Sequence, residues 1–239
     1  MSKSIAFFGA DSGVGTTMTA ASIAAALKAR KNKVLLLLTS SEIDENWFMP
    51  SASSDLGVLL RRTKLDKNDL ANAITKTDSF DFIRGSRDPL KKQFYDIKMM
   101  PSIMSLLSND YDYIIIDAGS DVSLPLSCSA LMYSDRRFYV FDGGAKSTGR
   151  FLISKEMVID GLGLDMTNDK LILNKESRRV GGRYDLDTTR SKIGMDGFSL
   201  PAYDNSYAYE MEGEIPYPKA GSSYAKSINL IADEIETIG

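Results

Sequence analysis

The sequence predicts an α/β fold, a mostly parallel, doubly wound sheet with helices on both faces. Three observations carry that expectation. Strand-like apolar runs alternate with helical patterns along the chain. The runs from Val34 to Leu38 and from Tyr113 to Ile116 are continuous, as strands covered on both faces are. A glycine-rich stretch joins the first strand-like run to the first helical one.

Taken in order, the expected strands are Ser4–Phe8, Val34–Leu38, Phe80–Arg84, Tyr113–Asp117, Arg137–Phe141, Leu171–Asn174 and Phe198–Leu200. The expected helices are Thr17–Arg30, Asp55–Arg62, Asp66–Thr75, Pro101–Ser108, Ser123–Ser134, Ser147–Gly161 and Ser222–Ile238. In the last helix, Tyr224, Ile228, Ile231, Ile235 and Ile238 recur at helical spacing and form one stripe. Asp233, Glu234 and Glu236 lie off that stripe, where anionic lipid would repel them, so the helix is expected to dock on the core. Residues 175–192 hold Arg178, Arg179, Arg183 and Arg190 around Gly181 and Gly182, and read as a loop. No repeat, low-complexity tract or long linker divides the chain, so residues 1–239 are expected to form a single domain.

Composition narrows the chemistry. The chain of 239 residues carries a formal net charge of -3, which creates no global field for nucleic acid or anionic lipid. No apolar run approaches the roughly 18 residues of a membrane span. The single cysteine, Cys128, excludes an internal disulfide, and the Met1–Ser4 start lacks a signal-peptide layout; a cytoplasmic location is the expectation. The chain has no histidine, which removes histidine triads, histidine-ligated zinc and imidazole acid–base catalysis.

Gly9 to Thr17 reads G-A-D-S-G-V-G-T-T, close to the phosphate-binding pattern of a glycine, four residues and then Gly-Lys-Ser/Thr. Gly15 fits the second glycine and Thr17 the hydroxyl position. Ala10 stands where the first glycine belongs, with Gly9 one step early, and Thr16 stands where the lysine belongs. Glycines let main-chain N–H groups close around an anion, and a helix N-terminus adds partial positive charge. Neither needs the lysine. The expected nucleotide contacts are Gly9, Asp11, Ser12, Gly13, Val14, Gly15, Thr16 and Thr17. A glycine-rich turn that binds nothing is the bland alternative.

Two strand ends add to the loop. Tyr113–Asp117 ends in a carboxylate suited, with Thr17, to hold Mg2+. Asn174 and Lys175 follow the run Leu171–Leu173, at the strand end where open α/β sheets bind ligands. An amide there can meet a base edge; a simple strand cap is the alternative. Asn174-Lys175-Glu176-Ser177 lacks the aspartate of a guanine-reading N-K-x-D, so adenine is expected.

Over nearly its full length this order resembles the MinD/ParA branch of P-loop NTPase-like proteins, the deviant Walker A ATPases. Within it, G-V-G-T-T without the lysine and the segment Phe82–Pro89 are similar to the TadZ/CpaE type, linked to localising pilus machinery. The resemblance implies ATP and Mg2+ as ligands and a homodimer that places partner proteins of a pilus, secretion, partitioning or division apparatus. It also exposes departures. Asp11 takes the place of a signature lysine that reaches across such dimers, and Leu38 and Ser40 take the places of two aspartates, one of which positions water; Glu42 and Asp44 lie nearby. A carboxylate about 4 Å from a phosphate oxygen costs about 1 to 4 kcal/mol at dielectrics of 80 to 20. No catalytic residue is assigned, and hydrolysis is expected to be very slow or absent. The rival expectations are an active partitioning ATPase binding DNA through residues 175–192, where Asp185 and Asp187 dilute the charge, and a pseudo-ATPase interaction module without nucleotide.

Overall fold

A computed structural model describes residues 2–39, 55–61, 65–86, 88–176, 182–203, 209 and 212–238. The strands are β1 Lys3–Gly9, β2 Val34–Leu38, β3 Ile74–Thr75, β4 Asp81–Ile83, β5 Tyr113–Asp117, β6 Arg136–Phe141, β7 Lys170–Glu176 and β8 Gly197–Pro201. The helices are α1 Thr16–Ala29, α2 Lys67–Ala73, α3 Met99–Leu107, α4 Pro125–Tyr133, α5 Ala145–Ser154, α6 Leu186–Ile193 and α7 Ser222–Glu236.

The strands join one eight-stranded sheet in the order β3-β4-β2-β5-β1-β6-β7-β8. Every pairing is parallel except β3 with β4. Successive side chains of a strand face opposite ways, so each continuous apolar run serves two cores. Ile5, Phe7, Leu36, Ile115 and Phe138 pack on the α1 and α7 side. Phe8, Leu35, Leu37, Ile114 and Tyr139 pack on the α3, α4 and α5 side. Across the pair β1–β6, Phe7 stacks on Phe138 with ring centroids 5.2 Å apart. The expected α/β class, with helices on both faces, is thus present.

The α7 stripe is buried throughout, and Ser22 Oγ of α1 lies 3.1 Å from Tyr224 Oη. Other boundaries differ from expectation. The segment after Asp55 is a 3-10 helix, Leu56–Arg61, and α2 stops at Ala73, where Ile74 and Thr75 pair with β4. The expected loop in residues 175–192 contains α6, started by Asp185 accepting from the Thr188 amide and ended at Gly194 in the left-handed region. The helix from Ala145 changes to a π-helical turn over Lys155–Ile159.

β1 lies between β5 and β6, so the chain leaving β1 emerges where the connections diverge to either side of the sheet. Open α/β sheets form their ligand crevice there.

Candidate functional site

The entrance of the loop is fixed by its neighbours. The Gly9 amide donates to Gly119 O at 2.8 Å, and the Ala10 amide donates to Val140 O at 2.8 Å. Gly13 and Gly15 then turn the chain with φ of 76° and 94°, backbone that glycine adopts without cost. Gly15 is the N-cap of α1 and supplies no side-chain cap, and the first turn holds no acidic residue. The amides of Gly13, Val14, Gly15, Thr16 and Thr17 meet no acceptor among the described residues. Five adjacent donors and a bare helix N-terminus are the groups that bind anions in proteins. Thr16 packs over the loop entrance: a Cβ on Gly9 would lie 2.4 Å from its Oγ1.

β7 holds the loop in shape. Asn174 Nδ2 donates to Val14 O at 2.8 Å, and Lys175 Nζ donates to Gly13 O at 2.9 Å. In a planar trans peptide the N–H points opposite to the C=O. Drawing these two carbonyls toward β7 therefore aims the Val14 and Gly15 amides the other way. The pairing of β7 with β8 is irregular between Leu173 and Glu176, and Lys175 has φ of 59°. Such a bulge re-aims side chains, here toward the loop. Asn174 is 5% exposed, and its Oδ1 accepts from the Lys175 amide at 2.9 Å. Each end of the amide makes one bond within the chain, through which Asn174 holds the loop.

Thr17 Oγ1 donates to Asp117 Oδ2 at 2.5 Å, and Asp117 Oδ1 accepts from the Gly119 amide at 3.0 Å. Asp117 is fully buried. A hydroxyl and a carboxylate side by side beneath free amides suit Mg2+, which takes oxygen ligands and retains waters. Thr39 closes the end of β2, its amide and hydroxyl both donating to Asp117 O, at 3.0 and 2.9 Å.

Asp11 turns toward α5. Its Oδ1 accepts from Arg150 Nη1 and, at 2.8 Å, from the Ser12 amide, while Lys146 Nζ lies 3.4 Å from Oδ2. Burial raises the carboxyl, but the bonds from Arg150, Ser12 and Lys146 outweigh it and hold Asp11 below the usual carboxylate range. The reversed charge in the loop thus faces two cations. Neither stood out in the sequence, although Lys146 and Arg150 sit four apart, on one helix face, just past a strand end. Asp142, at that strand end, sets the start of α5: its Oδ1 accepts from the Gly144 amide at 2.9 Å and Ser147 Oγ at 2.6 Å. An open cleft of about 310 Å3 is lined by Ala10, Asp11, Ser12, Ser120, Arg150 and Ile153.

The basic stretch is partly committed to the fold. Arg183 Nη1 donates to Asp142 O at 3.3 Å, and Arg190 donates to Gly197 O and pairs with Asp196 at 3.0 Å. Arg178, Arg179, Gly181 and Ser177 lie outside the described residues, as do Ser40, Glu42, Asp44 and Arg87.

The family model AAA_31, an AAA domain, matches residues 2–142. No curated protein matches the chain. Among solved structures, the septum site-determining protein MinD of Pyrococcus horikoshii OT3, complexed with Mg-ADP, has a TM-score of 0.80 at 19% identity, covering 100% of this chain and 97% of that one. The ParA family ATPase of Chlorobium tepidum TLS gives 0.79 at 20% identity, covering 97% of each chain. MinD in the MinC:MinD cell division complex of Aquifex aeolicus gives 0.79 at 17% identity, covering 98% and 96%. The chain belongs to this AAA domain family, and its fold is that of the MinD/ParA-type P-loop ATPases.

Proposed function

We propose that this MinD/ParA-type fold holds Mg-ATP here without turning it over at a useful rate, so that the bound form acts as a positioning scaffold. One observation carries the reading: five consecutive amides, Gly13 to Thr17, lack acceptors among the described residues beside the N-terminus of α1, although the loop has no lysine. Main-chain donors at a helix end can grip a polyphosphate without a side-chain cation. Asp11 and Ser12 flank that grip, and Gly9 permits its entrance. Asn174 and Lys175 hold its shape. Thr17 and Asp117 would hold magnesium, which neutralises charge on the outer phosphates.

Among the described residues the same site shows no group placed to orient an attacking water. Leu38 ends β2 at a position where the family resemblance implies an aspartate, and leucine cannot polarise water. Phosphoryl transfer to water needs the attacking water oriented as well as the phosphates neutralised, so a site that does not position that water is expected to turn over slowly. No residue is assigned a catalytic role. The MinD relatives, solved with Mg-ADP and with MinC, support a nucleotide ligand and a protein partner for this chain. The finer reading is a cytoplasmic, single-domain protein of the TadZ/CpaE type, a homodimer locked by nucleotide that recruits components of a pilus, secretion or division apparatus. Thr16 at the lysine position is its main support. DNA binding has less support, because Arg183 and Arg190 are engaged within the fold.

Titration calorimetry with Mg-ATP, paired with a phosphate-release assay, tests this. Saturable binding with turnover well below about 1 per second, the lower end of ordinary enzyme rates, is expected. Faster sustained release would overturn the scaffold reading. Absence of binding would leave an interaction module without nucleotide.

A further inference from the structure

The loop carries no cation, yet Lys146, Arg150 and Lys175 reach it from neighbouring elements, and of these Arg150 lines the open cleft. Arg150 reaches from α5 to Asp11 and lines the open cleft together with Ala10, Ser12 and Ser120. Thr17 and Asp117 would hold a magnesium ion that neutralises charge on the outer phosphates. Ser120, three residues past Asp117, lines the cleft, so the cleft adjoins the residues that would hold that ion. We propose that Arg150 is this chain's own replacement for the missing loop lysine, resting on Asp11 without nucleotide and passing to the terminal phosphate of a bound nucleoside triphosphate.

The charges favour such an exchange. Two cations face one carboxylate, leaving one positive charge in excess at the cleft. The Arg150 side chain is 55% exposed, and ion pairs that open to water contribute little, so changing partner costs little. A terminal phosphate offers more charge than a carboxylate and accepts a guanidinium through two parallel bonds. Lys146, 3.4 Å from the other oxygen of Asp11, stays behind to pair it when Arg150 leaves. Asp11 is then a resting place for Arg150, and its charge is not left bare beside the phosphates. The assignment rests on the reading that Gly13–Thr17 hold a nucleotide.

Calorimetric affinities for Mg-ATP and Mg-ADP, compared across variants of the full chain, test it. Arg150→Ala should weaken Mg-ATP about 10- to 100-fold, as loss of a charge-assisted bond does. Mg-ADP, which lacks the third phosphate that would meet the arginine, should stay within about twofold. Arg150→Lys should recover part of the preference for ATP. Asp11→Asn should tighten Mg-ATP, because the competing carboxylate is gone. If Arg150 merely ties α5 to the loop, Arg150→Ala and Asp11→Asn will shift both nucleotides in the same direction, and the proposal falls. A wild type that binds both nucleotides, with an ATP/ADP ratio unchanged in Arg150→Ala, overturns the arginine assignment alone. A wild type that binds neither overturns the nucleotide reading and this one together.

Discussion

At the N-terminal ends of the strands, polar groups are closed off in pairs. The Ser4 amide and hydroxyl both donate to Asp135 Oδ2 at 2.7 Å, and the Lys33 amide donates to Asp112 Oδ2 at 2.7 Å. Arg137 is saturated more fully. Its Nε donates to Asp169 at 2.7 Å, Nη1 to Leu131 O and Ser134 O, and Nη2 to Asp165 O at 2.6 Å. At the C-terminal ends, the amides of Gly13 to Thr17 have no acceptor among the described residues. One sheet thus carries two treatments of the same kind of group. Buried polar atoms are normally paired, as they are at the closed end; at the other end Gly13 is exposed and Gly15 and Thr17 are half-buried, so their amides stay available to water or to a ligand.

The strongest way to break that comparison is at the closed end. Arg137→Ala would leave the Asp169 carboxylate, whose side chain is 1% exposed, without its cation and with only the residue-137 amide and Tyr139 Oη as donors, and should cost about 3–5 kcal/mol of stability in urea unfolding. Burial already pushes the Asp169 carboxyl up against the pull of Arg137, which is why loss of the guanidinium should be felt so strongly. A cost below about 1 kcal/mol, the range of surface pairs, would mean that the network is not the anchor described.

At the open end the order of effects should reverse, with binding hit harder than stability. Gly15→Ala places a Cβ 2.2 Å from Asn174 Nδ2 on backbone with φ of 94°. The left-handed backbone alone costs about 1–2 kcal/mol. A saturating ligand at a hundred times its dissociation constant adds about 2.7 kcal/mol, and that increment should vanish in the variant. Thermal melts with and without Mg-ATP separate the two losses.

The smallest expected effect concerns Asp11, on the rim between the two regimes. Its carboxyl is lowered in the fold, so its contribution is present above the unfolded aspartate pKa of about 3.9 and is lost as pH falls through the lower folded value. Asp11→Asn should therefore lower the urea midpoint at neutral pH and converge on the wild type in acid. An unchanged difference across that acid limb would show that Lys146 and Arg150 do not stabilise Asp11.

Much of this was legible in the sequence. The apolar runs gave β1, β2, β5, β6 and β7 because buried parallel strands need unbroken hydrophobic sequence. The spacing of Tyr224 to Ile238 gave α7 and its buried face. The glycine pattern located the loop. What escaped had weak local signals or depended on distant contacts. β3 is two residues long, and its pairing with β4 overrides the helical pattern leading into it. α6 did carry signals, an Asp185 cap and a terminal Gly194, hidden by the arginines and glycines before it. The site was legible as a list of residues but not as a set of partners. Asn174 meets Val14, and Arg150 meets Asp11, across long stretches of chain that only folding brings together.

The grip of Asn174 and Lys175 on the loop's carbonyls has a consequence for how this protein could change. The curvature of the anion pocket is written in a strand far along the chain, so letters within the loop can drift while the template persists. Ala10 and Thr16 show two such substitutions accommodated without collapse. A descendant, or an engineer, would then need to rewrite the loop alone to recover a lysine there, with the mould for it already cast in β7.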